Sequence, residues 1–229
     1  MRLHDKIYLK SNRYNNPKES HKLLAKILKK RLKTKKNYNL LDVGCSNGEL
    51  IYFLSKKFKN LKLTGIDNRY DLIKKAKSKL GKSINLKTLD YNKKNNFNNK
   101  YDVIVCYGVI CILDNIKTFF QNIKKNSNKN SKIFIFDNFN EYDYDIFVKY
   151  VDLNMKKKVF QSGWNIWSIK TIKKYIHNKK IKKHFFNINF DVNNKKKDLM
   201  RSWTIKIKKK RYFTNATNII QKQILLEIN

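Results

Sequence analysis

The chain of 229 residues has few of the residues that interrupt or cross-link a fold: six glycines, one proline and three cysteines. Cys45, Cys106 and Cys111 form no CxxC pair, which argues against a disulfide framework or a zinc site and favours a reducing compartment. The longest apolar stretch, 103–113, is too short to span a bilayer. The first ten residues lack the apolar core of a signal peptide. We therefore expect a cytoplasmic protein without a membrane span.

Acidic residues are also scarce, with 17 against 53 basic residues and a net charge of +36. Such a field attracts anionic partners, including RNA, anionic lipid and phosphorylated small molecules. However, the basic residues are 47 lysines and only six arginines. Asn, Ile, Phe and Tyr are abundant as well, and all of these residues have A/T-rich codons. Base composition therefore explains much of the lysine excess, and the charge alone does not identify a partner.

Apolar segments alternate between helical and strand periodicity through the first 140 residues. The pattern predicts helices over 18–33, 48–58, 71–80 and 115–125, the last capped by Asp114. Strands rich in Ile, Val and Leu are predicted over 39–44, 61–67, 84–90, 101–108 and 131–137. Because most of these strands are followed by helices, we expect a parallel sheet that is buried on both faces.

The regularity weakens after about residue 140. We predict helices over 141–151 and 168–178, and strands over 182–190, 201–209, 210–214 and 223–228. The strands 201–209 and 210–214 are expected to form a hairpin. Lys/Asn-rich tracts at 92–100, 124–132 and 193–198 are interpreted as solvated loops rather than nucleic-acid patches, because they lie between apolar segments.

The most informative segment is LLDVGCSNGEL (40–50), where a strand ends, two glycines follow and a helix begins. Gly44 permits a sharp turn and close approach of a ligand, while Gly48 keeps the helix start open with its N–H groups directed at the ligand. A dinucleotide-binding loop would read GxGxxG. Here the spacing is GxxxG, with Asp42 inside the strand. This arrangement resembles the first motif of class I S-adenosylmethionine (SAM)-dependent methyltransferases.

Polar residues at the ends of the next three strands strengthen the resemblance. Asp67 ends the second strand, where a carboxylate can accept hydrogen bonds from both ribose hydroxyls, and Asn68 follows it. Asp90 and Tyr91 end the third strand, a position that contacts the adenine in the family. Tyr107 ends the fourth. Since ligands lie at the carboxyl ends of strands in open α/β sheets, these groups are expected to meet at one site.

The resemblance covers roughly residues 36–140. It implies a Rossmann-like α/β fold: a seven-stranded, mostly parallel sheet with an antiparallel last strand and helices on both faces, plus a small C-terminal β-hairpin. Residues 1–229 would be one domain, with a helical segment (1–35), a cofactor-binding core (36–140) and an acceptor-side region (141–229). SAM is the implied cofactor. The residues implied to bind it are Asp42, Gly44, Cys45, Gly48, Asp67, Asn68, Asp90, Tyr91 and Tyr107.

Three further residues have two explanations each. Arg13 is a candidate partner for the cofactor carboxylate, although a surface role explains it as well. Asp137, after the fifth strand, is a candidate general base for an oxygen or nitrogen acceptor. Asn138 beside it is a candidate acceptor-binding residue, and either side chain could instead cap the following turn. No metal site is expected, because the four histidines lack ligand spacing.

The second half contains QSGWNIWS (161–168), LMRSWTIK (199–206) and RYFTNAT (211–217). These segments resemble small bacterial methyltransferases of surface-polysaccharide or small-molecule pathways. We hypothesise that an acceptor pocket is lined by Trp164, Asn165, Trp167 and Trp203; packing between sheet and hairpin is the alternative. The preferred acceptor is a small molecule such as a sugar or nucleotide sugar. The alternatives are an RNA methyltransferase and a non-catalytic nucleic-acid-binding protein with this fold.

Overall fold

The computed structural model describes residues 3–154, 156–176, 179–193 and 199–229. Residues 177–178 of the predicted helix 168–178 and residues 194–198 of the predicted loop lie outside this description. So does the side chain of His4. No helix in the described ranges has the length and apolar character needed to cross a bilayer.

The described helices and strands follow the predicted alternation up to residue 140. The helices are α1 (Leu3–Lys10), α2 (Glu19–Arg31), α3 (Glu49–Lys57), α4 (Tyr70–Leu80), α5 (Lys117–Asn126) and α6 (Ile169–Ile176), with a 3₁₀ turn at Ile110–Ile112. The strands are β1 (Tyr38–Val43), β2 (Leu61–Asp67), β3 (Asn85–Thr88), β4 (Tyr101–Tyr107), β5 (Ser127–Asn140), β6 (Lys149–Val151), β7 (Phe160–Ser162), β8 (Trp167–Ser168), β9 (Ile181–Phe185), β10 (Trp203–Ile207), β11 (Lys210–Thr214) and β12 (Gln223–Ile228).

The central sheet has the strand order β3-β2-β1-β4-β5-β12-β9, and the short β8 pairs with the end of β5. The strands β1 to β5 are parallel, whereas β12 is antiparallel to both of its neighbours. This confirms the Rossmann-like sheet with its antiparallel last strand. The hairpin is confirmed as well, because β10 pairs with β11 in antiparallel register.

Successive residues of β1 pack into two hydrophobic layers, one on each face of the sheet. Leu41 packs into a layer that includes Phe119 of α5 and Ile172 of α6. Leu40 packs into the opposite layer, with Leu28 of α2 and Ile51 of α3. Burial on both faces explains why the parallel strands are almost continuously apolar. It also leaves the carboxyl ends of the strands as the edge where polar groups can gather.

The predicted helix over 141–151 is wrong. This segment instead pairs with the chain that follows it: Ile146 bridges Ile166, and β6 pairs with β7. Asn165 reinforces the pairing, because its Oδ1 accepts a hydrogen bond from the backbone N–H of Val148 at 2.8 Å. Tertiary pairing therefore outweighs the local helical pattern. The strand predicted over 182–190 also ends early, at Phe185.

The predicted loop over 124–132 is wrong too, because α5 continues to Asn126 and β5 begins at Ser127. Asn126 is fully buried. Its Nδ2 donates to the carbonyls of Phe97 and Asn99, both at 2.8 Å, and its Oδ1 accepts from the Tyr91 hydroxyl at 2.9 Å. Thus a residue of an apparently solvated tract holds the 92–100 loop against α5.

Asp114 does not cap α5, contrary to the prediction. Its carboxylate accepts hydrogen bonds from Ser162 Oγ at 2.7 Å and from Asn165 Nδ2 at 3.1 Å. The residue before α5 is Ile116, which makes no side-chain cap. Asn115 contributes instead, since its Oδ1 accepts from the backbone N–H of Lys117 at 2.8 Å. Asp114 therefore connects the start of α5 to the 161–168 segment.

Candidate functional site

A cavity of about 300 Å³, the first cavity, opens at the carboxyl edge of the sheet. The predicted cofactor residues in its lining are Asp42, Gly44, Cys45, Asp67, Asn68, Asp90, Tyr91 and Tyr107. Two predicted cofactor residues lie elsewhere. Gly48 precedes α3 and packs against α4, and Arg13 lines a different cavity.

The two glycines of the 40–50 segment are required for packing as well as for the turn. Gly44 has φ +74°, and a Cβ there would lie 2.3 Å from Val109 Cγ2. Gly48 has φ +82°, and its Cβ would lie 2.5 Å from Leu80 Cδ1. The N–H of Gly48 itself donates to the Cys45 carbonyl at 2.9 Å and closes the turn before α3. Both positions favour glycine because their backbones are left-handed.

Asp67 is held rigidly at the end of β2. Its Oδ2 accepts from the backbone N–H of Ser46, and its Oδ1 accepts from the backbone N–H of Arg69, both at 2.9 Å. Since a carboxylate oxygen can accept more than one hydrogen bond, these backbone contacts do not prevent Asp67 from receiving ligand hydroxyls.

Asp42 lies behind Asp67 and is almost completely buried. Burial, with a further contribution from the charge of Asp67, raises the pKa of Asp42 to about 8. Its Oδ2 and the Ser46 Oγ are buried, and neither has a hydrogen-bond partner in the part of the chain that the structure describes. Unsatisfied buried polar atoms are costly. A polar ligand in this cavity would relieve that cost.

Part of the lining of the first cavity is apolar. It includes Leu89, Val109, Leu113 and Phe119, together with the ring of Tyr91. The Tyr91 hydroxyl is already engaged by Asn126, as described above. Asp90 Oδ1 accepts from the backbone N–H of Asn92 at 3.0 Å. These side chains offer apolar surface to a flat ring.

The N-terminal segment is fastened over the turn that follows β1. Glu49, which is buried, accepts hydrogen bonds from Ser11 Oγ at 2.7 Å and from the backbone N–H of Arg13 at 2.9 Å. Asn47 Nδ2 donates to the carbonyls of Tyr8 and Ser11, both at 3.2 Å. These contacts bring Tyr8 to the first cavity. Asn47 and Glu49 could not be identified from the sequence, because only the folded chain shows that these polar side chains are buried.

A second cavity, of about 950 Å³, lies beside the first. The two cavities share part of their lining, which consists of Tyr8, Lys18, His21, Tyr107, Gly108 and Ile112. The predicted catalytic and acceptor residues in its lining are Asp137, Asn138 and Trp164, and Arg13 is there too. Trp164 has φ +66°, a left-handed conformation that a non-glycine residue adopts at a cost.

Aromatic rings follow one another along the wall of the second cavity. The ring of Tyr107 stacks on Phe136 with centroids 5.0 Å apart, and Phe136 meets Phe186 edge-on at 5.4 Å. Phe186 is followed by Phe190 at 6.2 Å, and Phe190 by Phe213 at 6.0 Å. We call these five rings the aromatic wall. A ligand with a flat or apolar face would pack against it.

The other predicted acceptor residues are Trp167, Asn165 and Trp203. Trp167 is buried, and its Nε1 donates to the Ile110 carbonyl at 2.9 Å. Asn165 is fully buried, and its Nδ2 donates to the Leu113 carbonyl at 3.0 Å. Trp203 lies in β10, opposite Thr214 of β11. None of these three tryptophan and asparagine side chains is part of the described lining of either cavity.

Asp137 and His21 are two buried titratable residues in the lining of the second cavity. Burial raises the pKa of Asp137 to about 6, although its oxygens accept from the backbone N–H groups of Cys111 at 3.1 Å and Asn138 at 2.9 Å. His21 is 5% exposed, and its Nδ1 has no hydrogen-bond partner among the described residues. Burial, followed by the charges of Lys18 and Arg13, lowers the pKa of His21 well below its usual value. The lowered pKa favours a neutral imidazole for His21, and its Nδ1 has no hydrogen-bond partner among the described residues.

Within the described residues, no three His, Cys, Asp or Glu side chains come together in a way that could hold a metal ion. The three cysteines are buried and free. Burial raises the pKa of each thiol, so none is activated as a thiolate.

Residues 41–133 match a family model described as a methyltransferase domain. A malonyl-[acyl-carrier protein] O-methyltransferase 1 of Ilyobacter polytropus is 33% identical over 91 residues, which are 39% of this chain and 34% of that protein. The matched region is less than half the length of each of the curated relatives.

Solved structures share the fold over most of the chain. A SAM-dependent methyltransferase from Clostridium acetobutylicum superposes with a TM-score of 0.56 and 16% identity, covering 89% of this chain and 88% of that one. The PH0226 protein of Pyrococcus horikoshii gives a TM-score of 0.60 and 15% identity, covering 96% of this chain and 92% of that one. At such identities the likeness concerns the fold.

Proposed function

We propose that this chain transfers a methyl group from SAM to a small acceptor, because residues 41–133 match the methyltransferase-domain model. SAM binds in the first cavity and the acceptor in the second. The observation that carries the proposal is the shared boundary: Lys18, His21 and Tyr107 line both cavities. Two ligands can therefore meet there without leaving their own sites.

In this proposal Asp67 accepts hydrogen bonds from the two ribose hydroxyls. The unsatisfied atoms of Asp42 and Ser46 receive polar groups of the same ligand. The apolar side chains of Leu89 and Phe119 pack on the adenine. When bound, SAM would supply a methyl carbon attached to a positively charged sulfur, and that carbon–sulfur bond would break as the methyl group is transferred, leaving a neutral thioether. The protein holds the acceptor in line with that carbon and excludes water.

His21 Nδ1 takes the proton of the acceptor O–H or N–H as the acceptor atom forms its bond to the methyl carbon. A neutral imidazole at the boundary of the two cavities suits this role better than Asp137, the candidate from sequence. Asp137 accepts one backbone hydrogen bond on each oxygen and lines the second cavity only, whereas His21 lines both cavities. Asp137 instead holds the 3₁₀ turn that borders the second cavity.

The acceptor is a small molecule in this proposal, and a sugar or nucleotide sugar remains our preferred class. A cavity of about 950 Å³ is in the size range of small-molecule sites, about 300–1,000 Å³. The base or sugar face would pack on the aromatic wall.

Calorimetric titration with S-adenosylhomocysteine (SAH), the product form of the cofactor, tests the first half of the proposal. We expect one site per chain and a rise in melting temperature. Methyl transfer would then be screened with nucleotide sugars and with RNA as acceptors. Absence of both heat and thermal shift with SAH would refute the methyltransferase proposal. Transfer to RNA alone would refute the small acceptor.

A further inference from the structure

The six arginines are the least expected basic residues in this chain, since composition favours lysine. Arg2 lies outside the described residues. Three others form ion pairs with carboxylates: Arg31 with Glu227, Arg69 with Asp71 and Arg211 with Asp191. A partnered guanidinium needs no ligand to explain it.

Arg13 and Arg201 differ from these three. Neither guanidinium has a carboxylate within ion-pair distance in the described part of the chain, and both line the second cavity. Each is only half-buried. The guanidinium group presents a planar fork of donors that matches a carboxylate or a phosphate. Two guanidinium groups without a carboxylate partner at one cavity therefore indicate an anion-binding site. Unpaired lysines would not, because lysine is abundant throughout this chain.

The carboxylates that line the second cavity are already engaged. Glu19 pairs with Lys22 at 2.5 Å, and Asp191 pairs with Arg211 at 2.9 Å. Asp137 accepts two backbone hydrogen bonds, as described above. Within the described lining, no carboxylate remains to neutralise the two arginines.

Lys18 adds a third positive charge in the same place. Burial lowers the pKa of Lys18, Glu49 opposes that shift, and the charges of Arg201 and Arg13 lower the pKa further. Lys18 is therefore close enough to each of the two arginines to be affected by its charge. Such an arrangement is stabilised when an anion enters.

We propose that Arg13 and Arg201 bind an anionic group of the acceptor, a carboxylate or a phosphate, while the aromatic wall packs on its flat portion. The inference rests on the proposed function, because it assigns the second cavity to the acceptor. It gives Arg13 a role at the acceptor rather than at the cofactor carboxylate. The acceptor is then a flat anion rather than a neutral sugar.

The experiment compares three probes of one shape: 1-naphthyl phosphate, 1-naphthoate and uncharged 1-naphthalenemethanol. Each is titrated calorimetrically into the full chain, with and without SAH. We expect both anions to bind at least about tenfold more tightly than the alcohol, because hydrogen bonds to charged groups contribute about 1.5–3 kcal/mol. The anion that binds more tightly identifies the preferred group.

Arg13→Gln and Arg201→Gln should each weaken anion binding roughly tenfold and leave the alcohol unchanged. Arg201→Lys should keep part of the preference, because it keeps the charge but not the fork. Lys210→Gln is the matched control. It removes one charge from an exposed position in the β10–β11 hairpin, which follows Arg201, and Lys210 is outside the described lining of the second cavity. Melting temperatures verify that each variant is folded.

Equal affinity for charged and neutral probes would overturn the proposal, and so would no binding of either anion at millimolar concentration. The proposal would also be overturned if Arg13→Gln and Arg201→Gln lost no more affinity for the anionic probes than Lys210→Gln does. If Arg13→Gln weakened SAH but not 5′-methylthioadenosine, which lacks the amino-acid group, Arg13 would belong to the cofactor. Failure of SAH to bind would refute the proposed function, whereas the probe preference is measured without SAH as well.

Discussion

The imidazole of His21 meets the ring of Tyr107 edge-on, with the centroids 5.8 Å apart. Tyr107 is fixed on its other side by stacking on Phe136. Its hydroxyl donates to the Ser20 carbonyl at 3.3 Å, so it is also tied to the helix that carries His21. His21 and Tyr107 therefore form a rigid pair of rings at the boundary between the two cavities, and Nδ1 of His21 has no hydrogen-bond partner among the described residues.

His21→Asn should reduce kcat by roughly 10²- to 10⁴-fold if His21 is the general base. Because the pKa of His21 is lowered by burial, the wild-type rate should be constant above about pH 6.5 and fall only at lower pH, where the imidazole is protonated. The variant should lack this acidic limb. The measurement is a pH profile of kcat, with His184→Asn on β9 as the control. Loss of the limb in Asp137→Asn instead would transfer the role to Asp137.

Asp67→Ala should weaken SAH binding roughly ten- to hundredfold, because the hydrogen bonds lost are made to a charged group. Calorimetry measures the change. Asp143→Ala is a charge-matched control, since Asp143 is exposed and pairs only with Lys170 among the described contacts. An Asp67→Ala protein that melts normally and binds SAH like the control would contradict the ribose assignment.

Gly44→Ala should lower the free energy of unfolding by more than Gly108→Ala. Both positions have a positive φ, +74° and +67°, which costs an L-residue about 1–2 kcal/mol. Only Gly44 adds a steric clash, because its Cβ would meet Val109, whereas nothing lies within 4 Å of a Cβ at Gly108. Urea titration measures both variants. Equal losses would show that Val109 moves aside without cost.

Asp42→Asn should flatten the dependence of stability on pH. The pKa of Asp42 is raised to about 8 by burial, so the folded state holds a proton that the unfolded state releases near its usual value of about 3.9. The stabilisation from this proton is complete at acidic pH and is lost as the pH rises through about 8. Urea titrations at several pH values should show wild type losing stability relative to the variant. A constant difference between the two proteins would mean that Asp42 is ionised throughout.

The strands and the turn after β1 could be predicted because their signals are local. The segment 223–228 is a run of strand-forming apolar residues, and it forms β12 within the same bounds. Asp67 and Gly44 could be placed together because chemistry gathers at the carboxyl ends of parallel strands. No argument of this kind applies to the helix predicted over 141–151. Its residues pair with strand residues that follow, and a single-segment pattern does not contain that information.

The residues missed at the candidate site come from segments far apart in sequence. His21 lies on α2, which precedes the sheet, and Arg201 lies just before β10. Glu49 lies within the predicted motif region, but its role depends on the N-terminal segment folding over it. The spacing of residues in the sequence does not show that such distant segments come together at one site. The scarcity of arginine was visible from the start, but it became informative only when the partners of each arginine were known.

The buried amide of Asn126 connects the far end of α5 to the loop that carries Asp90 and Tyr91. Asn122, one turn earlier, donates to the carbonyls of Tyr91 at 2.8 Å and Lys93 at 2.9 Å. A gene drifting toward A/T-rich codons accumulates asparagine, and two of these asparagines now hold a loop against α5 by hydrogen bonds. At position 126 the side chain supplies two donor contacts and one acceptor contact, a combination that no other side chain offers at that length.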